Sequence, residues 1–243
     1  MLNETIYIDG VDVRTFGVHL QRPLSVSGIV PIVEEITVPG RNGTLTHYTG
    51  SYENREALAE CFALSQDKVQ QNISAFSSFL FSKKGYRKLQ ASNDEEHYWM
   101  ARIVNGSQID DRLRKLNPFE IQFSCMPQHF LIEGDNGIDF YEGMESVLHN
   151  PYAGETKPLL IVEGYGVGTV EINGVSISFV DDVPNKIFID CETENAYSES
   201  GENLNRVISL KEFPTLHEGK NEIRLSSAAG LEKLTIVPRW WEK

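Results

Sequence analysis

The chain has 243 residues, 40% of them hydrophobic, with a formal net charge of -13 and a pI near 4.9. That length holds one large domain or two modest ones, and an acidity spread over both halves excludes broad binding of a phosphate backbone. The cysteines, Cys61, Cys125 and Cys191, are widely separated and form no CxxC pair, so neither a zinc knuckle nor a disulfide framework is indicated and buried thiols are expected.

In chain order, "ETIYIDGVDV" alternates like a strand and turns at Asp9-Gly10. A second strand is expected at "EEITV" (Glu34–Val38). After it, Asn42-Gly43 separates "EEITV" from "TLTHY", the signature of a hairpin in which Gly43 supplies a positive φ. The glycines here do not make a phosphate cradle, because neither a helix N-terminus nor a Gly-Lys-Ser/Thr ending follows. One helix is expected in "DKVQQNISAFSSFLFSKKG". Asp67 suits its N-cap, Val69, Ile73, Phe76 and Leu80 share a face, Lys83 and Lys84 sit in its last turn, and Gly85 closes it. Strands then follow in "YRKLQA", "HYWMARIV" and "PFEIQFSCMP"; in the last, Phe119, Ile121 and Phe123 alternate with polar residues.

Between Pro127 and Pro158 turn residues accumulate and periodicity fades, which places a domain boundary near residue 134. The remainder reads as β: "PLLIVEG", "GTVEING", "VSISFV" after the Asn173-Gly174 turn, "KIFIDCET", "RVISL", "EIRLSS" and "KLTIVPRW". Strands at this spacing without a helix predict a sandwich or jelly roll.

Candidate chemistry is sparse. "GYGVG" (Gly164–Gly168) has the wrong spacing for a dinucleotide fingerprint and precedes a strand. "DCETE" carries Asp190, Glu192 and Glu194 but fails the calcium-loop pattern, so a solvated strand face is expected; Asp181-Asp182 reads as a turn. The six histidines show no HExxH or i, i+4 pairing and are read singly as surface or core residues. No catalytic residue, cofactor site or metal site is therefore expected. No apolar run approaches the ~18 residues that span a bilayer, and the N-terminus lacks the basic start and apolar core of a secretory signal. Trp240 and Trp241 are expected to pack at a strand end. Tyr48 and Tyr52, on a hairpin with Arg41, suit a protein–protein contact.

Taken in order, "PGRNGTLTHYTGSYENRE", "GYRKLQASNDEEHYWMARI", "NPYAGETKPLLIVEGYGVGTVEINGVSISF", "IFIDCETENAY" and "FPTLHEGKNEIRL" ending in "TIVPRW" make the chain resemble the siphophage distal tail protein (Dit) family of Gram-positive phages and prophages. The resemblance implies a mainly β protein. Residues 1–133 would form an N-terminal, ring-forming, tail-tube-like β-sandwich or barrel-like domain with one α-helix and a protruding hairpin. Residues 134–243 would form a galectin-like β-sandwich. It also implies a hexameric ring, single or paired, at the virion tail tip after synthesis in the host cytoplasm. Its partners would be the tail-tube protein, the tail-associated lysin or fibre protein and a receptor-binding protein, with no nucleic acid and no membrane. Arg41, Asn42, Tyr48, Tyr52 and Arg55 would then belong to the hairpin that contacts the neighbouring subunit. Some relatives carry an inserted carbohydrate-binding module, for which this chain has no room. A carbohydrate-binding module and a tail-tube ring subunit are the competing expectations.

Overall fold

Phe119, Ile121, Phe123 and Cys125 are buried while Glu120 and Gln122 between them face solvent, the period-2 pattern that makes a strand with one dry face. In the computed structural model, which describes residues 4–63, 69–106, 118–143, 145–180, 185–227 and 230–242, that strand lies inside a large antiparallel sheet. Two compact units are present, one up to His129 and one spanning Phe130–Glu242.

The first unit contains β1 (Ile6–Ile8), β2 (Val11–Asp12), β3 (Val18–Leu20), β4 (Ser25–Val26), β5 (Pro31–Thr37), β6 (Thr44–Tyr52), β7 (Arg55–Ala63), α1 (Val69–Phe81), β8 (Arg87–Ala91), β9 (His97–Ile103) and β10 (Phe119–Cys125). Its main sheet runs β2-β1-β8-β9-β10-β7-β3, with β4 also on β7. β10 meets β7 with Phe119 opposite Cys61, Ile121 opposite Ala59 and Phe123 opposite Ala57. Large side chains thus face small ones, which leaves room for the helix. From α1, Ile73, Phe76 and Leu80 enter this core, and Phe16 stacks on Phe79 at 5.2 Å.

The helix ends at Phe81, short of Lys83 and Lys84, so neither lysine lies in its last turn. The basic partner comes from the sheet instead. Arg87, 6% exposed, donates from Nη1 to the carbonyls of Phe79 and Leu80 at 2.8 and 3.3 Å, and from Nε to Asp9 at 3.0 Å. A cation at these carbonyls meets the negative end of the helix dipole and satisfies groups that the helix leaves unpaired. Lys83 lies on Asp9 at 3.0 Å. Asp67 and Asp181-Asp182 fall outside the described residues.

β11 (His129–Leu131) begins on the last residue of the first unit, and the second unit contains β12 (Ile138–Tyr141), β13 (Glu145–Asn150), β14 (Leu159–Gly164), β15 (Gly168–Ile172), β16 (Val175–Phe179), β17 (Lys186–Asp190), β18 (Asn195–Tyr197), β19 (Ile208–Ser209), β20 (Gly219–Ser227), β21 (Leu231–Val237) and β22 (Trp241–Glu242). Two five-stranded antiparallel sheets form, ordered β12-β21-β14-β17-β18 and β13-β20-β15-β16-β19. Leu160, Val162, Ile189 and Ile236 of the first sheet share one core with Val170, Ile177, Phe179 and Leu225 of the second. This is the expected sandwich. Asn173 and Gly174 both take positive φ, 52° and 80°, in the two-residue turn between β15 and β16, as that hairpin type requires.

"GYGVG" has a packing explanation. Gly164 has φ 125°, and a Cβ there would lie 2.2 Å from the Gly230 carbonyl oxygen. Only glycine allows the β14 bulge to come this close to the start of β21. "DCETE" departs from the solvated face expected of it. Asp190 is 9% exposed and its carboxylate takes a two-pronged bond from Arg239, at 2.7 and 3.0 Å, plus the Glu192 and Thr193 backbone N–H groups. Glu192, Thr193 and Glu194 are exposed, on a turn between β17 and β18. A carboxylate with so many donors is a structural anchor.

Candidate functional site

Among the described residues, β5 and β6 pair only with each other and form a sheet of their own. Their register sets Val33 against Tyr48, Glu34 against His47, Glu35 against Thr46 and Ile36 against Leu45. Paired residues point to the same face and successive pairs alternate. One face therefore carries Val33 and Tyr48, the other Ile36 and Leu45.

Every residue of β5 is exposed, and so is every residue of β6 except half-buried Tyr52. Tyr48 is 66% exposed and Ile36 49%. An isolated two-stranded ribbon is at best marginally stable in water, and this one shows apolar side chains on both faces.

The loop at its tip is longer than a two-residue turn. Residues 38–43 connect Thr37 to Thr44, with positive φ at both Gly40 (82°) and Gly43 (80°), and Arg41 and Asn42 are exposed there. Arg55 does not belong to the ribbon. It opens β7 in the main sheet opposite Cys125, donates from Nε to the Ser27 carbonyl at 2.7 Å, and lies 6.0 Å from the Trp99 ring centroid. Its neighbour Asn54 donates to Tyr86 Oη and Ser124 Oγ at 2.8 and 2.9 Å, and the Glu53 N–H bonds the Val30 carbonyl at 2.8 Å. The ribbon therefore springs from a tightly bonded root, while Arg41, Asn42 and Tyr48 lie along it.

A concavity of about 530 Å³ in the second unit is lined by Lys157, Cys191, Asn205, Lys211 and Phe213 among others. Its thiol is not activated: burial pushes Cys191 up to about 12, helped by the Asp190 charge and opposed by Arg239 and Lys157. Cys61 and Cys125 are likewise buried and pushed to about 12 by burial. Trp240 is buried, and Trp241 is half-buried with Nε1 donating to the Glu155 carbonyl at 3.0 Å. Both tryptophans are used for packing.

Among the described residues, one group of metal-ligating side chains converges: Asp94, His97 and His129. Read singly, the histidines gave no sign of it. The local signal was Asp94-x-x-His97 across a turn, and only the fold supplies His129.

No protein-family model matches the chain, and no curated protein matches it in sequence. Among solved structures it is similar to the Dit protein (gp 19.1) of SPP1, with a TM-score of 0.60 at 12% sequence identity, over 97% of this chain and 98% of that one. That protein is described as a paradigm of the hub adsorption apparatus in phages infecting Gram-positive bacteria. The chain shares its fold from end to end.

Proposed function

We propose that this chain is a distal tail protein: a non-enzymatic hub at a phage tail tip that closes into a ring of six copies and joins the tail tube to the tail-associated lysin or fibre and the receptor-binding proteins. The observation that carries the reading is the end-to-end likeness to the SPP1 hub protein, in both directions of coverage.

The β5–β6 ribbon supplies the physical means. A closed ring uses head-to-tail contacts, in which a projection on one subunit meets a different surface on the next. A ribbon with Tyr48 and Val33 on one face and Ile36 and Leu45 on the other would be buried from both sides in such a contact. Arg41 and Asn42 at the tip would reach furthest onto the neighbour. The first unit would form the ring, and the second, a sandwich with its own core, would present loops to peripheral partners. Buried, high-pKa thiols and a saturated Asp190 suit an adaptor that works by shape.

Negative-stain imaging of the purified chain tests this. Six-fold rings with a central opening are expected; isolated small particles at every concentration, with or without the tube protein, would contradict it.

A further inference from the structure

The turn between β8 and β9 holds a carboxylate in a fixed position. Asp94 Oδ1 accepts the backbone N–H groups of Glu96 and His97 at 3.2 and 3.1 Å, and lies 2.8 Å from His97 Nδ1. His97 and Trp99, two apart on β9, share a face. Against that face lies His129, its ring stacked on Trp99 at 3.9 Å and 8°, and on His97 at 4.4 Å and 26°. The second Asp94 oxygen, Oδ2, lies 3.5 Å from His129 Nε2. One potential ligand atom from each of the three side chains lies within 4.8 Å of the others.

We propose that Asp94, His97 and His129 bind a divalent transition cation of the zinc class. Two imidazoles and one carboxylate are a donor set for zinc, iron, cobalt, nickel or copper, whereas calcium and magnesium take oxygen alone. Tetrahedral donors ~2.1 Å from a metal lie roughly 3.4 Å apart, close to the Asp94–His129 separation of 3.5 Å. The 2.8 Å contact of His97 Nδ1 is with the other oxygen, Oδ1, so the His97 ring must turn out of that bond and out of the stack to aim Nδ1 at an ion on Oδ2. His129 keeps its place on Trp99.

The surroundings favour the ion. With Oδ1 held by backbone N–H groups, Oδ2 is the oxygen left to ligate, an arrangement in which the outer contacts orient the ligand. Burial alone would raise the Asp94 pKa, but the hydrogen bond and charge of His97 and the Glu96 N–H outweigh it and hold the group below the ordinary carboxylate range, so it is ionised at neutral pH. All three side chains are more than two-thirds shielded from solvent. Three protein ligands leave a fourth position for water.

Isothermal titration of the full chain, freed of metal with chelator, tests the proposal with zinc and nickel chlorides as probes. One ion per chain is expected. His97→Gln, His129→Gln and Asp94→Asn should each weaken binding at least about tenfold, while His47→Gln, on the exposed ribbon, leaves it unchanged. X-ray absorption at the zinc edge on the unaltered protein needs no variant, and should report two imidazole ligands with oxygen completing the shell. No uptake of either metal, uptake equal in all variants, or a shell without imidazole would overturn the proposal. So would tryptophan fluorescence that responds to pH but to neither metal, the behaviour of a proton-binding cluster only.

Discussion

Replacing Tyr48 by serine separates a side chain that serves assembly from one that serves folding. Tyr48 is 66% exposed in the single chain, so about two-thirds of its surface remains for a neighbour to cover. A buried tyrosine covers about 150–250 Å². Two-thirds of that, discounted for the polar hydroxyl and taken at about 25 cal/mol per Å², amounts to about 2 kcal/mol. This corresponds to roughly thirtyfold in a subunit association constant. The chain itself should melt as before, because exposed positions contribute within about 0.5 kcal/mol. The assay is light scattering over a dilution series beside a thermal melt. Assembly should dissociate at roughly thirtyfold higher protein concentration, with an unchanged melting temperature. Unchanged assembly at every dilution would refute the reasoning, and a large fall in melting temperature would show that Tyr48 serves the fold. Ile36→Ser, on the opposite face of the ribbon, should weaken assembly too if a neighbour covers both faces.

Three further outcomes follow from the interior. Phe76, fully buried between α1 and the main sheet, should cost about 3–5 kcal/mol when replaced by alanine, read by denaturant unfolding; a loss under about 1 kcal/mol would mean that the helix is not seated on this core. Burial alone would raise the Asp190 pKa, but the bonds and charge of Arg239 and the Glu192 and Thr193 N–H groups more than offset it and hold it below the ordinary carboxylate value. Its folded pKa being depressed, its contribution is complete above the unfolded value of about 3.9 and is lost as pH falls through the folded one. Arg239→Gln should lower stability at neutral pH by about 2–3 kcal/mol and start acid unfolding at higher pH, and an unaltered acid limb in circular dichroism would contradict this. The three thiols, pushed up by burial, should react with a thiol reagent only upon unfolding; rapid labelling of the native protein would show an open core.

Much of the architecture was legible where side-chain alternation was clean. β10, with large apolar residues at every second position, and the Asn173-Gly174 turn needed no tertiary information. β12 and β13 were hidden because the sequence between Pro127 and Pro158 looks turn-rich. Inward-facing Asn150 is polar, buried completely, and bonded to the Gly154 carbonyl and the Tyr152 N–H at 2.9 and 3.0 Å, which breaks the apolar alternation that marks a strand. The helix end was misplaced because its basic partner is Arg87, beyond the helix on β8. Arg55 was grouped with the ribbon by proximity in sequence, although the chain has already entered the main sheet there. Of the Asp94–His97–His129 cluster only the Asp94-x-x-His97 spacing was legible, since His129 reaches it only through the fold.

The central claim concerns self-assembly, and the mass of the particle in solution decides it. Light scattering on a sizing column should report about 164 kDa, six times the 27.4 kDa chain, or double that for paired rings. A 27.4 kDa species at every concentration and salt, with purified tube protein present or absent, would contradict the hub account.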